Sequence, residues 1–261
     1  MNNSLLWKVE SGQGRVSYLF GTMHVRNEVA FRDLEYLKSK ILEQNVYYSE
    51  LDLDSGNMSA VYNSQVLPKN KTVEDYFKRE KYRKIREILL KSFKIDIEGL
   101  KQFYPMIITN FLLTSVVESN SDFILDQVLY NFAKEKNKDL RYLESADQQI
   151  QIFNKIPMEL QLKALSKLAA HPAKAKRQML NLMRYYENKD TRKLYQCSKK
   201  QLGKLRKMLL YRRNDNMASL LLHELENTEA FVGVGAAHLF GYSGVLRLLK
   251  HGGFNVQPVY L

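Results

Sequence analysis

The feature that most constrains this chain is a pattern that occurs near both of its ends. An apolar stretch, residues 16–20, runs into Gly21-Thr22-Met23-His24, and a second, residues 230–234, runs into Gly235-Ala236-Ala237-His238. Each copy has the pattern of a strand, a Gly-x-x-His turn, a helix and a further strand. This repeat predicts that the two ends of the chain share one core and deliver two histidines to one place.

The chain between the two copies has a different character. Residues 55–227 follow an almost wholly helical pattern, with one strand-like segment near 139–144. Strands that alternate with helices predict a mixed sheet with helices on its faces. We therefore predict an α/β fold in a single domain, 1–261. Its core halves, 1–54 and 228–261, form the mixed sheet, and a long central helical insertion separates them.

Two helix starts are also predicted from the sequence. Thr72, with Asp75 at the third position after it, is expected to cap a short helix. Ser243 is expected to cap the helix of the second copy, which Gly252-Gly253 would end.

Four polar side chains lie at or just after the carboxyl ends of predicted strands. They are His24, Glu50, Glu144 and His238. In open α/β sheets ligands bind outside that edge, so we expect these residues to lie together. Two neutral imidazoles with one or two carboxylates suit a divalent metal such as zinc, manganese or cobalt. Gly21 and Gly235 would let the backbone leave each strand sharply and approach the site closely.

Simpler interpretations remain for each residue taken alone. A single histidine after a strand is often structural, Glu50 could be a solvated carboxylate, and Glu144 could cap a helix that begins at Ser145. No catalytic role is expected for the other histidines, which are His171, His223 and His251. The segment around Gly233 and Gly235 lacks the third glycine of a dinucleotide fingerprint and closes the chain rather than opening it.

The basic residues are concentrated in one part of the chain. Residues 163–213 contain sixteen Lys or Arg and two acids, Glu187 and Asp190, whereas the whole chain has a net charge of +12. Such a face suits nucleic acid, an anionic lipid or an acidic partner, or is a set of solvated helix faces. No RNA-binding motif, zinc finger or recognition helix accompanies it, which argues against nucleic acid.

The cysteine count and the hydropathy of the chain indicate the cellular compartment. The one cysteine, Cys197, excludes an internal disulfide and a cysteine-rich metal site. No apolar run is long enough to span a bilayer, and the first residues lack the features of a signal peptide. We expect a cytoplasmic protein without a membrane span.

These motifs resemble those of the TraB/GumN/PrgY proteins, which include the TIKI metalloproteases. The strongest marks are Phe20-Gly21-Thr22-Met23-His24 and Gly235-Ala236-Ala237-His238-Leu239-x-Gly241, and Glu50 matches the acidic position. Leu143-Glu144-Ser145 with Gln148, and Arg213-Asn214-x-x-Met217, fit less specifically. The resemblance implies an α/β core split by a helical segment, with both histidines and a glutamate at a metal-dependent hydrolytic site.

The leading hypothesis is a metal-dependent hydrolase that cleaves a peptide bond. His24, Glu50 and His238 would hold manganese, cobalt or zinc, with manganese slightly favoured by oxygen-rich ligation. Glu144 would be a fourth ligand or the general base. Arg213 would stabilise the oxyanion, and Asn214 would orient the substrate or Arg213.

Two alternatives use the same residues. One is a binding protein that captures a peptide or small ligand without turnover, with the basic face 163–213 as its docking surface. The other is an esterase, since ester and amide hydrolysis need similar groups. The sequence does not predict the substrate's identity or the oligomeric state.

Overall fold

A computed structural model describes residues 3–260, apart from the side chains of residues 55–57. Positions 1, 2 and 261, which the predicted domain included, lie outside that description. The strands are β1 (Leu6–Glu10), β2 (Val16–Thr22), β3 (Val46–Ser49), β4 (Asp139–Tyr142), β5 (Ala230–Gly235) and β6 (Asn255–Val259). The α-helices are α1 (Leu34–Leu42), α2 (Ser55–Ser64), α3 (Arg79–Phe93), α4 (Pro105–Thr114), α5 (Leu125–Glu135), α6 (Ala146–Asn154), α7 (Met158–Ala170), α8 (Pro172–Glu187), α9 (Thr191–Leu202), α10 (Arg212–Glu224), α11 (Ala236–Leu239) and α12 (Val245–His251).

The chain forms two compact units. The first comprises residues 1–53, 120–145 and 182–261, and the second comprises residues 54–119 and 146–181. All of the strands named above belong to the first unit. The predicted division into core halves 1–54 and 228–261 stays a prediction.

The first unit is built on one mixed sheet with the strand order β4-β3-β5-β2-β1-β6. The four strands β4, β3, β5 and β2 are parallel to one another, whereas β1 is antiparallel to both β2 and β6. The predicted α/β class with a mixed sheet is confirmed. Pro258 lies in β6 at the edge of the sheet, where its missing N–H costs no ladder hydrogen bond.

The central strand β5 is apolar throughout because both faces of the sheet are covered. Val232 and Val234 pack in a cluster with Met217 and Leu221 of α10 and with residues of α12. Phe231, on the alternate side of the strand, stacks on Tyr47 with 5.9 Å between ring centroids. Burial on both faces is typical of parallel strands and explains the continuous apolar run.

The second unit is a separate helical assembly with its own apolar cluster. Leu89 of α3, Ile108 and Leu112 of α4 and Leu165 of α7 are all fully or almost fully buried in it. Thr72 and Asp75 form a reciprocal capping box at the short 3-10 helix Val73–Tyr76, as predicted.

One predicted cap is wrong. The N-cap of α12 is Gly244, one residue after the expected Ser243, and no side chain caps this helix. The carbonyl of Ser243 instead accepts a hydrogen bond from the Asn214 side chain at 2.6 Å. The chain therefore enters α12 one residue later than the sequence pattern indicated.

Candidate active site at the carboxyl edge of the sheet

The parallel strands bring the predicted polar residues to one edge of the first unit. In β2 and β5, Thr22 pairs with Gly235 at the carboxyl ends of the strands. Pairing of β3 with β4 continues beyond both strands, because the Glu144 N–H donates to the Glu50 carbonyl at 2.9 Å. The backbone thus places the two glutamates beside each other, next to the end of β5.

The centre of the edge is an arginine held between two carboxylates. Nε of Arg213 donates to Glu144 Oε1 at 2.8 Å, and Nη2 donates to Glu144 Oε2 at 2.7 Å and to Glu50 Oε2 at 2.9 Å. The three side chains are only 16%, 13% and 4% exposed for Arg213, Glu50 and Glu144. Buried charges of this kind need partners, and here each one has them.

Glu50 also binds the second Gly-x-x-His motif through the backbone. The Gly235 N–H donates to Glu50 Oε1, so the two oxygens of the carboxylate have different partners. Burial alone would raise the pKa of Glu50. The nearby His238 and Arg213, with smaller effects from His24 and the Gly235 amide, outweigh burial and lower that pKa to about 2. Glu50 is therefore ionised at neutral pH.

His238 is buried and held by Asn214. Asn214 donates from Nδ2 to the Ser243 carbonyl, and its Oδ1 contacts His238 Nδ1. An amide oxygen accepts only, so Nδ1 carries the proton and Nε2 keeps its lone pair. Burial lowers the pKa of His238 to about 4, despite the opposing effect of Glu50. His238 is thus a neutral imidazole at neutral pH.

His24 lies after the end of β2, and its ring contacts a carboxylate that the sequence did not suggest. Nδ1 is 3.1 Å from Asp126 Oδ2, and the Thr22 hydroxyl donates to Asp126 Oδ1 at 2.6 Å. The His24 side chain is 60% exposed. The Asp126 carboxylate raises the pKa of His24 to about 9, against a smaller opposing effect from partial desolvation of the ring. In the metal-free protein the ring is therefore protonated at neutral pH, and a metal at its second nitrogen would displace that proton.

The two motif glycines act through their missing side chains and not through the turn that the sequence suggested. Neither has a positive φ. A Cβ on Gly21 would lie 3.0 Å from Ala236 Cα, and a Cβ on Gly235 would lie 2.9 Å from Glu50 Oε1. Gly21 therefore admits α11, which carries His238, and Gly235 admits the Glu50 carboxylate.

The structure brings together most of the residues predicted for the site. Direct contacts join Glu50, Glu144 and Arg213, and they join His238 with Asn214. Asn214 contacts His238 and Ser243 rather than Arg213. His24 bonds with Asp126 instead, and it acts on Glu50 and His238 only through its charge. Within residues 3–260 no group of three or more His, Cys, Asp or Glu side chains is arranged to hold a metal ion.

Two residues at this edge of the sheet were not predicted from the sequence. Asp126 lies in the first turn of α5, 102 residues after His24, and no spacing rule connects them. Tyr186 is buried in α8 and donates from its hydroxyl to the Gly21 carbonyl at 3.0 Å. The sequence shows Asp126 only as an acidic residue within a helical pattern, which does not indicate its partner.

Comparison with known proteins places these residues in a family. The sequence model of the TraB/PrgY/gumN family matches residues 5–258, which is nearly the whole chain. The chain belongs to this family. Both Gly-x-x-His motifs, Glu50, Glu144 and Arg213 fall within the matched range.

The chain is also similar to curated relatives from animals. It is 24% identical to metalloprotease TIKI2 of Xenopus tropicalis, over 98% of this chain and 60% of that protein. Metalloprotease TIKI1 of Homo sapiens is 22% identical over 98% of this chain and 62% of its own length. The chain thus spans about three-fifths of the length of these relatives. No solved structure gives a significant match. Every helix within residues 3–260 is too short or too polar to cross a membrane.

Proposed function

We propose that this protein is a metal-dependent hydrolase that cleaves peptide bonds at the carboxyl edge of the sheet. Family membership and the metalloprotease names of the relatives support the class of reaction. The observation that carries the proposal is the matched hydrogen bonding of Nδ1 in the two motif histidines. His24 and His238 each have Nδ1 engaged by an oxygen of a neighbouring side chain. Metal-ligating histidines are held in this way, with the other nitrogen directed to the metal.

The charges at the edge fit a divalent cation. The edge has three carboxylates, on Glu50, Glu144 and Asp126, and two cations in the metal-free protein, the Arg213 guanidinium and the His24 imidazolium. A metal that binds the His24 ring would displace its proton, which leaves a net charge of minus two for a divalent cation to balance. The nitrogen and oxygen donors suit manganese, cobalt or zinc. The donor atoms of His24, Glu50 and His238 suit such a cation in chemical type and in charge. Among the described residues, however, Glu50 hydrogen-bonds to Arg213 and Gly235, and no three side chains are arranged as a metal site.

His24, Glu50 and His238 would hold the cation. When bound, the cation would supply Lewis acidity toward a peptide carbonyl and toward water. Arg213 uses Nε and Nη2 for the two glutamates, and its Nη1 has no hydrogen-bond partner among the described residues. That N–H can donate to the oxygen that becomes negative as the peptide carbonyl is attacked. Glu144 is the nearest carboxylate to Arg213 and would take the proton from water.

Turnover of a peptide mixture tests this function. Wild-type protein is incubated with Mn²⁺, Co²⁺ or Zn²⁺, and products are identified by mass spectrometry. Glu50→Gln keeps the shape of the side chain but removes its charge, and we expect a loss of turnover of about 100-fold or more. Glu43→Gln, at the exposed C-cap residue of α1, is the matched control and should retain full activity.

Three results would contradict the proposal. Equal turnover by wild type and Glu50→Gln would exclude this site as the catalytic one. Cleavage of ester substrates alone would favour the esterase, and saturable peptide binding without products would favour the binding protein.

A further inference from the structure

An exposed basic surface lies next to the candidate site in the first unit. From residue 191 to residue 214 the chain has nine Lys or Arg and no Asp or Glu. Much of this charge is exposed on the end of α9 and the turns that lead into α10. We call this surface the basic ridge, and its members are Lys199, Lys200, Lys204, Arg206, Lys207 and Arg212.

The charge of the basic ridge is not compensated within the described chain. Lys200, Lys204, Lys207 and Arg212 have no carboxylate within ion-pair distance among residues 3–260. Lysines elsewhere in the first unit do pair with acids, as Lys40 does with Glu43 at 2.6 Å. Neighbouring cations without counter-charges repel one another and generate a positive field that attracts anions.

Packing joins the basic ridge to the candidate site. Helix α9 packs against α11, the short helix that carries His238. A Cβ on Gly241, just after α11, would clash with the ring of Tyr195 on α9, so the two segments are in close contact. Arg212 also directly precedes Arg213 and Asn214, and a π-helical turn, Lys207–Tyr211, leads into them. Such turns are frequent at functional sites.

The lack of exposed apolar side chains on the basic ridge favours an acidic peptide over single-stranded nucleic acid or a membrane surface. No large hydrophobic side chain of residues 191–214 is among the exposed ones, and Tyr195 is buried. Single-stranded nucleic acids need exposed aromatic rings for base stacking, and membrane-surface helices need an apolar face to insert. Lys and Arg side chains bind carboxylates as well as phosphates, and the anionic groups of a peptide substrate are the carboxylates of Asp and Glu.

We propose that the basic ridge binds an acidic segment of the peptide substrate, so that the site prefers peptides with Asp or Glu close to the cleaved bond. This inference rests on the proposed peptide hydrolysis and names the class of substrate. The positive field would draw an acidic segment toward α9, and α9 is joined to the helix that holds His238.

Binding to metal-free protein tests the basic ridge without any turnover. The probes are a fluorescein-labelled peptide of alternating Glu and Gly and its counterpart with Gln in place of Glu, followed by fluorescence anisotropy. We expect the Glu peptide to bind at least about tenfold more tightly at low salt, with the difference shrinking as salt is added. Equal binding of the two peptides would overturn the inference.

Charge reversal locates the binding surface. Lys200→Glu/Lys204→Glu should weaken binding of the Glu peptide by about tenfold or more. Lys84→Glu/Lys91→Glu is the matched control, because these exposed lysines of α3 also lack an ion pair and the net charge changes equally. The control should stay within about twofold of wild type. An equal loss in both variants would mean that only net charge matters and would overturn the inference.

Turnover separates this inference from the proposed function. With Mn²⁺ present, we expect the basic ridge variant to raise KM for the Glu peptide and to leave kcat unchanged. Selective binding of the Glu peptide without products would support the basic ridge and contradict the hydrolase. Cleavage of both peptides at equal kcat/KM would support the hydrolase and overturn the basic ridge. Tighter binding of single-stranded RNA or phosphatidylserine vesicles than of the Glu peptide would also overturn it.

Discussion

Gly21 in β2 lies so close to Ala236 in α11 that a Cβ on the glycine would be 3.1 Å from the Cβ of the alanine. The first residue of one Gly-x-x-His motif thus packs against the short helix that contains the histidine of the other motif. The two motifs that repeat in the sequence touch each other in the structure. This contact sets how closely α11, which carries His238, approaches β2.

Gly21→Ala should destabilise the fold because the new methyl would also lie 2.7 Å from Leu239 Cδ1. Overpacking of this kind costs about 1–3 kcal/mol in free energy of unfolding, which urea denaturation measures. Gly12→Ala is the control, because nothing lies within 4 Å of a Cβ there. It should change stability by less than about 0.5 kcal/mol. Equal stability of the two variants would show that α11 is not packed as described.

Arg213→Met should cost about 3–5 kcal/mol at pH 7, because it leaves the carboxylates of Glu50 and Glu144 buried without their cation. Arg213 lowers the pKa of Glu50, so its removal raises that pKa and makes protonation easier. The loss should therefore shrink when unfolding is repeated at pH 5. Arg212→Met, at the exposed neighbouring residue, should be close to neutral at both pH values. A pH-independent loss in Arg213→Met would contradict the ion-pair account.

Asp126→Asn should lower the pKa of His24 in the metal-free protein from about 9 toward its ordinary value of 6.5. The amide retains an oxygen that can accept from Thr22, but it no longer stabilises the imidazolium by charge. Titration of the His24 ring by NMR measures the change. An unaltered His24 pKa in the variant would mean that Asp126 does not hold this ring.

The same pair predicts a dependence of stability on pH. The folded pKa of His24 is raised above 6.5, so the folded state binds a proton more tightly than the unfolded state. The stabilisation is fully present below pH 6.5 and is lost as pH rises through about 9. Asp126→Asn should lack this dependence, so the wild-type and variant curves should converge at high pH.

The sequence predicted the frame of the site well because strand order and strand ends follow from local patterns. Apolar runs located β2 and β5, strand-like segments located β3 and β4, and parallel pairing then brings their carboxyl ends to one edge. Glu50, Glu144 and His238 follow from that reasoning alone. The resemblance added Arg213 and Asn214, which no periodicity would have selected.

What the sequence did not predict depends on contacts between distant segments. Asp126 of α5 contacts His24 although 102 residues separate them, and Asn214 of α10 contacts His238 of α11 although 24 residues separate them. The close approach predicted for the two glycines is found, but the atoms that approach them come from distant segments that the sequence did not identify. The sequence shows which residues lack a Cβ, but it does not show which atoms of other segments lie against them.

The proposed metal site requires His24 and His238 to hold one divalent cation together. Equilibrium dialysis against Co²⁺, followed by elemental analysis, measures it on wild type, His24→Ala/His238→Ala and His223→Ala/His251→Ala. The last variant removes two exposed histidines outside the site. We predict stoichiometric cobalt in wild type and in that control, and none in the His24→Ala/His238→Ala protein. Equal cobalt content in all three proteins would contradict the claim.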